Sequence, residues 1–258
     1  NEFLGLYAQV FNAVEGNTTF YARPKPSVIQ RWAETLPEDF RFTAKFHGDI
    51  SHGGDLRLQL SAAETFIQLL APLGQRVAPF WLQLPASFAP HRLAELATFI
   101  DELQCPMAVE VRNLAFFDKG DEERALNRLL LDRGVERICL DSRPLFSCVS
   151  SDPAVLHAQS KKPKVPARPA ALTQFPQVRF IGRPELEAND MFLRQWVEKV
   201  AGWIEEGRTP YVFLHTPDNL EAPQLARRFH SQLMARLPGL PPLPELDRAP
   251  PVQQLGLL

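Results

Sequence analysis

The sequence predicts an α/β fold, specifically a TIM-like (β/α)8 barrel from which the first strand is missing. Seven short apolar runs each end on a polar residue, and helical patterns separate most of these runs. Strands that alternate with helices are typical of βαβ units and a parallel sheet. A doubly wound open sheet is the alternative. The chain has neither the GxGxxG nor the GxxxxGK[ST] pattern of phosphate-binding turns, which argues against that alternative.

The first half of the chain predicts a leading helix and three strand–helix units. Apolar residues from Phe3 to Phe11 lie at helical spacing, so the chain begins inside a helix. The next predicted elements are strand 13–15, a helix over 27–35 that Pro26 favours and Pro37 ends, strand 40–46, a helix from the capping box at 61–64 to about residue 70, strand 79–84, and a helix over about 91–103.

The second half continues this alternation with one interruption. Strand 107–112 precedes a helix that begins at the acidic run 121–123 and ends at Gly134. Strand 137–141 follows. Residues 142–176 contain at most one short helix, near 154–159, and a loop this long is usually functional or disordered. The last elements are strand 177–182, helix 190–206, strand 211–215 and helix 223–237.

We expect one barrel domain over residues 1–237 and a Pro-rich tail over residues 238–258. The chain opens on Asn1 with neither Met nor a signal-peptide pattern, which suggests a fragment or an incomplete record of a longer chain. The net charge of -2 creates no global field that favours nucleic acid. Three cysteines without CxxC spacing, and no apolar stretch of about 18 residues, favour a cytoplasmic protein without disulfides, structural zinc or a membrane span.

Alternation along each strand sorts the side chains onto two faces. One set is apolar and is predicted to face the helices: Val14, Phe42, Ala44, Leu82, Leu84, Val109, Val111, Ile138, Leu140, Val178, Phe180, Val212 and Leu214. The other set is polar and is predicted to point into the barrel mouth: Glu15, Thr43, Lys45, Gln83, Glu110, Arg112, Asp141, Arg179 and His215. Active sites of such barrels lie at the C-terminal strand ends, so the polar set predicts the site.

The polar set contains three acids and three firm cations, which predicts a charge-balanced network because an unpaired buried charge is very costly. One interpretation is structural, in which these groups pair with each other and plug the barrel. The other is functional, because clustered ionisable groups in a concave site are typical of activity. We favour the functional interpretation, since a plug needs less polarity.

Several motifs resemble the YecE-like family, a domain of unknown function. Residues 11–21, FNAVEGNTTFY, are similar to the family signature F-N-x-V-E-x-N-S/T-T-F/L-Y. Further similar segments follow in order and at matching intervals up to about residue 237, and those at 140–144, 161–166, 179–182 and 213–218 are most similar to the YecE branch. Ile181 departs from the pattern, since many relatives carry His there.

The resemblance implies a TIM barrel that normally begins with a strand and a Gly/Ser/Trp-containing loop. This segment is absent from the sequence, which accounts for the missing strand, and any site residue within it cannot be named. The resemblance implies no established reaction. The chemistry must therefore be predicted from the residues themselves.

Cations at the strand ends predict a binding site for a small anionic molecule, such as a phosphorylated compound. A guanidinium group binds phosphate or carboxylate in two places, and Lys45 adds a further charge. The predicted substrate-binding residues are Asn17, Tyr21, Gln83, Arg112 and Arg179.

Carboxylates that share one site predict acid–base catalysis, because such pairs push their pKa values apart. Glu15 and Glu110 are the candidate proton-transfer groups, and His215 is a candidate proton shuttle near neutral pH. The predicted catalytic set is Glu15, Lys45, Glu110, Asp141 and His215. The pattern leaves hydrolase, lyase and isomerase chemistry open.

Alternatives remain for several of these residues. Lys45 suits a Schiff base if nearby cations lower its pKa, but an ion pair with a glutamate is the simpler interpretation. His215 equally suits a hydrogen-bonded rim residue, and His47 and His52 are better interpreted as loop residues. A metal site formed by Glu15, Glu110, Asp141 and His215 is a further alternative. Because three cations in the mouth would repel a metal ion, we predict neither a metal nor a cofactor.

The chain end suggests a different class of function. Residues 254–258 resemble the Gln-Leu-x-Leu-Phe/Leu peptide that binds bacterial sliding clamps, through Gln254, Leu255, Leu257 and Leu258. The four cations in segment 161–168 suit closure over an anionic ligand, contact with a nucleic acid backbone, or a solvated loop. A clamp-associated nucleic acid protein and a non-catalytic ligand-binding module are therefore the alternatives to an enzyme.

Overall fold

Strands and helices alternate along the computed structural model, which describes residues 2–77 and 79–245. The strands are β1 (Ala13–Gly16), β2 (Arg41–Ala44), β3 (Phe80–Gln83), β4 (Met107–Glu110), β5 (Glu136–Arg137), β6 (Cys139–Asp141), β7 (Gln177–Ile181) and β8 (Tyr211–His215). The helices are α1 (Glu2–Ala8), α2 (Thr18–Tyr21), α3 (Pro26–Thr35), α4 (Gly48–Ser51), α5 (Leu60–Leu70), α6 (Leu93–Leu103), α7 (Asp121–Asp132), α8 (Arg143–Ser147), α9 (Pro153–Lys161), α10 (Asp190–Glu205) and α11 (Ala222–Arg236).

Several elements differ from the sequence prediction, including the short helices α2 and α4, which were not predicted. The capping box does not open α5, because a 3₁₀ turn over Leu56–Gln59 runs directly into this helix, which begins at Leu60 without a side-chain cap. The segment predicted to hold one short helix forms two, α8 and α9. The strand predicted over residues 137–141 is divided into β5 and β6 at Ile138.

All strand pairs are parallel, and neighbours follow chain order. β1 pairs with β2, β3–β4–β5 form a second sheet, and β6–β7–β8 form a third. Isolated bridges, Phe42 with Val77 and Lys45 with Trp81, connect β2 to β3. Within the described part of the chain no backbone pairing joins β1 to β8. The fold is therefore α/β with parallel strands, as predicted, but the sheet does not close into a complete barrel.

Apolar side chains fill both sides of the strands. On the outer side, Val109 of β4 lies in one core cluster with Phe99 of α6, and Val178 of β7 lies in another with Trp196 of α10. A third cluster joins residues from several strands, namely Trp81, Ala108, Ile138, Tyr211 and Phe213. Such residues meet only in the space that the strands enclose. A packed interior therefore lies beneath the strand ends.

The run from residue 137 to 141 faces the opposite way from the prediction. Ile138 was predicted to face the helices but belongs to the interior cluster. Asp141 was predicted to face the mouth but accepts a hydrogen bond from Trp196 Nε1 of α10, at 2.8 Å. Arg137 likewise pairs with Glu123 of α7, at 3.2 Å. The alternation is reversed because both polar side chains find buried partners in the helix layer.

Two further findings concern the chain as a whole. In residues 2–77 and 79–245, no helix is long and apolar enough to cross a membrane. Residues 238–245 of the predicted tail form neither helix nor strand. The residues of the predicted clamp-binding peptide, Gln254, Leu255, Leu257 and Leu258, lie outside the described residues.

Candidate functional site

The turn after β1 fixes Glu15 at the C-terminal ends of the strands. The Thr19 hydroxyl of α2 lies 2.8 Å from the Gly16 carbonyl oxygen and 2.7 Å from the Lys45 carbonyl oxygen, which holds α2 against the end of β2. Gly16 also lets β1 lie close to Phe42 of β2, because a Cβ atom at position 16 would lie 2.6 Å from a ring carbon of Phe42. The turn geometry thus brings the first carboxylate beside the first lysine.

Glu15 is surrounded by three partners. Lys45 Nζ lies 2.7 Å from its Oε1 atom, and Arg179 binds both oxygens, with Nη2–Oε1 at 2.9 Å and Nε–Oε2 at 3.1 Å. His215 Nε2 lies 2.7 Å from Oε2. Burial by itself would raise the pKa of Glu15, but Arg179, Lys45 and His215 hold that pKa well below its ordinary value. Glu15 is therefore ionised at neutral pH.

Glu110, at the end of β4, is also held by cations. Arg112 donates to its Oε1 atom from Nη2 at 2.7 Å and from Nε at 2.8 Å, and Arg179 Nη1 lies 3.4 Å from Oε2. Burial would raise the pKa of Glu110, but Arg112, Arg179 and Lys45 outweigh it and lower that pKa to about 2. Arg179 thus bridges two ionised carboxylates.

Lys45 is the buried centre of the site, with 0% of its surface exposed. Its ammonium donates to Asn17 Oδ1 at 3.1 Å and to Gln83 Oε1 at 3.3 Å, and lies 4.5 Å from the Trp81 ring centroid. Burial and Arg179 lower the pKa of Lys45 to about 8, even though both glutamates act to raise it. The Lys45 ammonium therefore loses its proton at a pH much nearer neutrality than that of an ordinary lysine.

Eight of the ten sequence-predicted site residues meet in this arrangement. We call them the mouth cluster: Glu15, Asn17, Lys45, Gln83, Glu110, Arg112, Arg179 and His215. Burial lowers the pKa of Arg179, but Glu15, Glu110 and, to a smaller extent, Tyr21 raise it above its ordinary value; Tyr21 itself is 73% exposed. Asp141 does not join, because it is bound by Trp196 and Arg143 instead.

Two residues outside the predicted set interact electrostatically with the mouth cluster. Burial and Arg179 together lower the pKa of Lys162 to about 8, although Glu15 and Glu110 act to raise it. Burial and then Arg112 lower the pKa of His52, which the sequence suggested was a loop residue. The signal for Lys162 was present in the sequence as the cation-rich, proline-rich segment after the fifth predicted strand.

The remaining cations of segment 161–168 have other surroundings. Arg168 pairs with Glu123 at 3.0 Å and also donates to the Phe117 carbonyl, and Lys164 lies 5.6 Å from the Phe146 ring centroid. Among the described residues, no group of three or more His, Cys, Asp or Glu side chains could hold a metal ion.

Comparison with known proteins identifies relatives along nearly the whole chain. The family model described as "Protein of unknown function DUF72" matches residues 1–249. The UPF0759 protein YecE of Escherichia coli K12 is 43% identical over 244 residues, which cover 94% of this chain and 89% of that protein.

Two crystal structures of DUF72 family proteins share the fold. The protein from Enterococcus faecalis V583 has a TM-score of 0.70 and 20% identity, and the match covers 92% of this chain and 94% of that one. The protein from Thermotoga maritima MSB8 has a TM-score of 0.63 and 23% identity, with coverages of 90% and 89%.

Proposed function

This chain belongs to the DUF72 family of proteins of unknown function, and from this premise we propose that it is an enzyme acting on a small anionic substrate at the mouth cluster. The supporting observation is the charge of the cluster. Lys45, Arg112 and Arg179 provide three positive charges, whereas Glu15 and Glu110 provide two negative ones. A buried excess of one positive charge favours an anionic ligand, because uncompensated buried charge is costly.

We also propose that the parallel strands form a TIM-like barrel with one open position, between β1 and β8. A cavity of ≈ 620 Å³ lies there, lined by both strands and by residues of α1 and α11. Residues of β1 and β8 are partly exposed, whereas β3 and β4 are wholly buried. One further strand in this position would complete the ring, and the mouth cluster of the described residues forms without it.

In our proposal the proton-transfer role belongs to Lys45 rather than to either glutamate. Both carboxylates are ionised, so neither has a proton to donate near neutral pH. A lysine with a pKa of about 8 is matched to proton transfer at physiological pH. Arg112, whose side chain is 17% exposed, is the cation placed to meet a ligand from solvent. Hydrolase, lyase and isomerase reactions all accommodate this arrangement.

A ligand screen tests the proposal. Small carboxylates and phosphate esters are screened by ligand-observed NMR, and we expect Arg112→Ala to weaken the binding of any hit by about tenfold or more. Arg124→Ala serves as the control, because the Arg124 side chain is 67% exposed and lies on α7. Absence of any hit, or equal binding by wild type and Arg112→Ala, would contradict the anion site.

The same hit separates an enzyme from a binding module. NMR of the hit incubated with wild type and with Lys45→Met should reveal conversion by the wild type alone. A wild type that binds the compound and never converts it would support a non-catalytic ligand-binding module.

A further inference from the structure

We infer that Lys162 determines the specificity of this site, by selecting a dianionic phosphate group over a singly charged carboxylate. The inference rests on the proposed function, because it assumes that an anion binds at the mouth cluster. It adds a residue from outside the strands and a class of ligand.

The chain around Lys162 is fixed at the C-terminal end of β6. The Lys162 amide donates to the Ala158 carbonyl at 2.9 Å and so caps α9. The next carbonyl, that of Pro163, accepts a hydrogen bond from the Ser142 hydroxyl at 2.8 Å. Ser142 is 1% exposed and directly follows β6, and Val165 is 6% exposed in the main core cluster. Lys162 is thus held between two anchored points rather than on a free loop.

The ammonium group of Lys162 has no anionic partner of its own. Within residues 2–77 and 79–245 its side chain makes no hydrogen bond or ion pair, whereas Arg168 and Lys164 of the same segment have the contacts given above. Glu15 and Glu110 are the carboxylates that act to raise the pKa of Lys162, and both are already bound by other cations. A cation in this situation gains most from a ligand that brings negative charge.

Counting Lys162 doubles the charge excess at the mouth. Four cations (Lys45, Arg112, Lys162 and Arg179) against two carboxylates leave two positive charges. A phosphate monoester carries about 1.5 to 2 negative charges near neutral pH. A simple carboxylate carries only one. Charge matching therefore favours phosphate, and the two cations come from different parts of the fold, since Arg112 follows β4 and Lys162 follows α9.

Titration calorimetry with inorganic phosphate and with acetate tests this specificity. We expect the wild type to bind phosphate more tightly than acetate. Lys162→Met should weaken phosphate binding by about 10- to 100-fold, the size expected for a charge-assisted contact, and acetate binding less. Lys162→Arg should restore most of the phosphate affinity. Lys161→Met is the matched control, because Lys161 is the exposed neighbouring lysine at the end of α9.

The outcomes separate this inference from the proposed function. Unchanged phosphate affinity in Lys162→Met, with a loss in Arg112→Ala, would overturn the role of Lys162 and leave the anion site standing. Unchanged affinity in both variants would overturn both. Equal wild-type affinity for phosphate and acetate, or an equal loss in Lys161→Met, would refute the selection of a dianion by Lys162. Thermal unfolding of each variant verifies that it is folded.

Discussion

At the scale of single residues, the partners of each buried group decide its chemistry. Two neighbouring carboxylates without cations would repel each other, and one would hold a proton. Here Arg179 contacts both Glu15 and Glu110, and each glutamate has a second cation besides. Both stay ionised, and the pKa that moves toward neutrality is that of Lys45. The composition of the cluster was predictable, but this distribution of protons was not.

Replacement of Glu110 by glutamine should make stability less sensitive to acid. The folded-state pKa of about 2 lies below the ordinary 4.5, so Glu110 stabilises the fold above pH 4.5 and loses this contribution as the pH falls toward 2. The shift corresponds to at most about 3 kcal/mol. Urea unfolding at about pH 7 and about pH 3 should therefore show a smaller acid-induced loss in Glu110→Gln than in the wild type. Glu122→Gln, at an exposed position, is the control; a loss in Glu110→Gln equal to that of the wild type would contradict the prediction.

At the scale of elements, polar contacts outside the mouth fix the helices to the strands. Asp141 of β6 connects α10 through Trp196 and the start of α8 through Arg143. On the neighbouring strand β5, Arg137 connects α7 through Glu123. These contacts give Asp141 and Arg137 a structural role. In the sequence, such polar strand residues look the same as residues of a functional site. Polar character at a strand end is therefore insufficient to assign function.

Trp196→Phe should destabilise the fold without affecting the mouth. The substitution leaves a buried carboxylate oxygen of Asp141 with one partner fewer, which costs about 1–3 kcal/mol. Anion affinity should be unchanged, as calorimetry would measure. Trp203→Phe is a matched control on the same helix, since Trp203 is buried in the same cluster and makes no contact with Asp141. Weaker anion binding in Trp196→Phe alone would place Asp141 in the site after all.

At the scale of the whole molecule, the opening between β1 and β8 distinguishes this chain from a closed ring. β1 pairs only with β2 and β8 only with β7, and within the described residues no pairing joins β1 to β8. The opening lies between the two strands that carry Glu15 and His215, which nevertheless contact each other at 2.7 Å. A side-chain contact at the mouth thus connects strands that the backbone leaves unpaired.

Hydrogen exchange should detect this opening. β8 and β7 have the same length, but β7 is paired on both sides and β8 on one. We expect the least protected amides of β8 to exchange about tenfold or more faster than those of β7, because unpaired strand edges open at low cost. Mass spectrometry or NMR of the exchanging amides provides the measurement. Equal protection in the two strands would indicate that the ring closes in solution.

The sequence by itself determined most of the strands and long helices and which strand residues share a face, because both follow from local periodicity. It was therefore predictable that Glu15, Lys45, Glu110 and Arg179 lie on the same face of their strands. It was also predictable that these side chains come together at one end of the parallel strands.

Only the tertiary structure decided which face each strand turns inward and which charges pair. Residues 137–141 alternate as regularly as the other strands, yet their polar side chains point outward because Trp196 and Glu123 lie there. The chain at Lys162 lies beside the end of β6 because the neighbouring Pro163 is bonded to Ser142, 21 positions away. A local sequence pattern determines how side chains alternate along a strand. The partner that binds a buried polar group comes from elsewhere in the chain, so only the tertiary structure shows which partner it is.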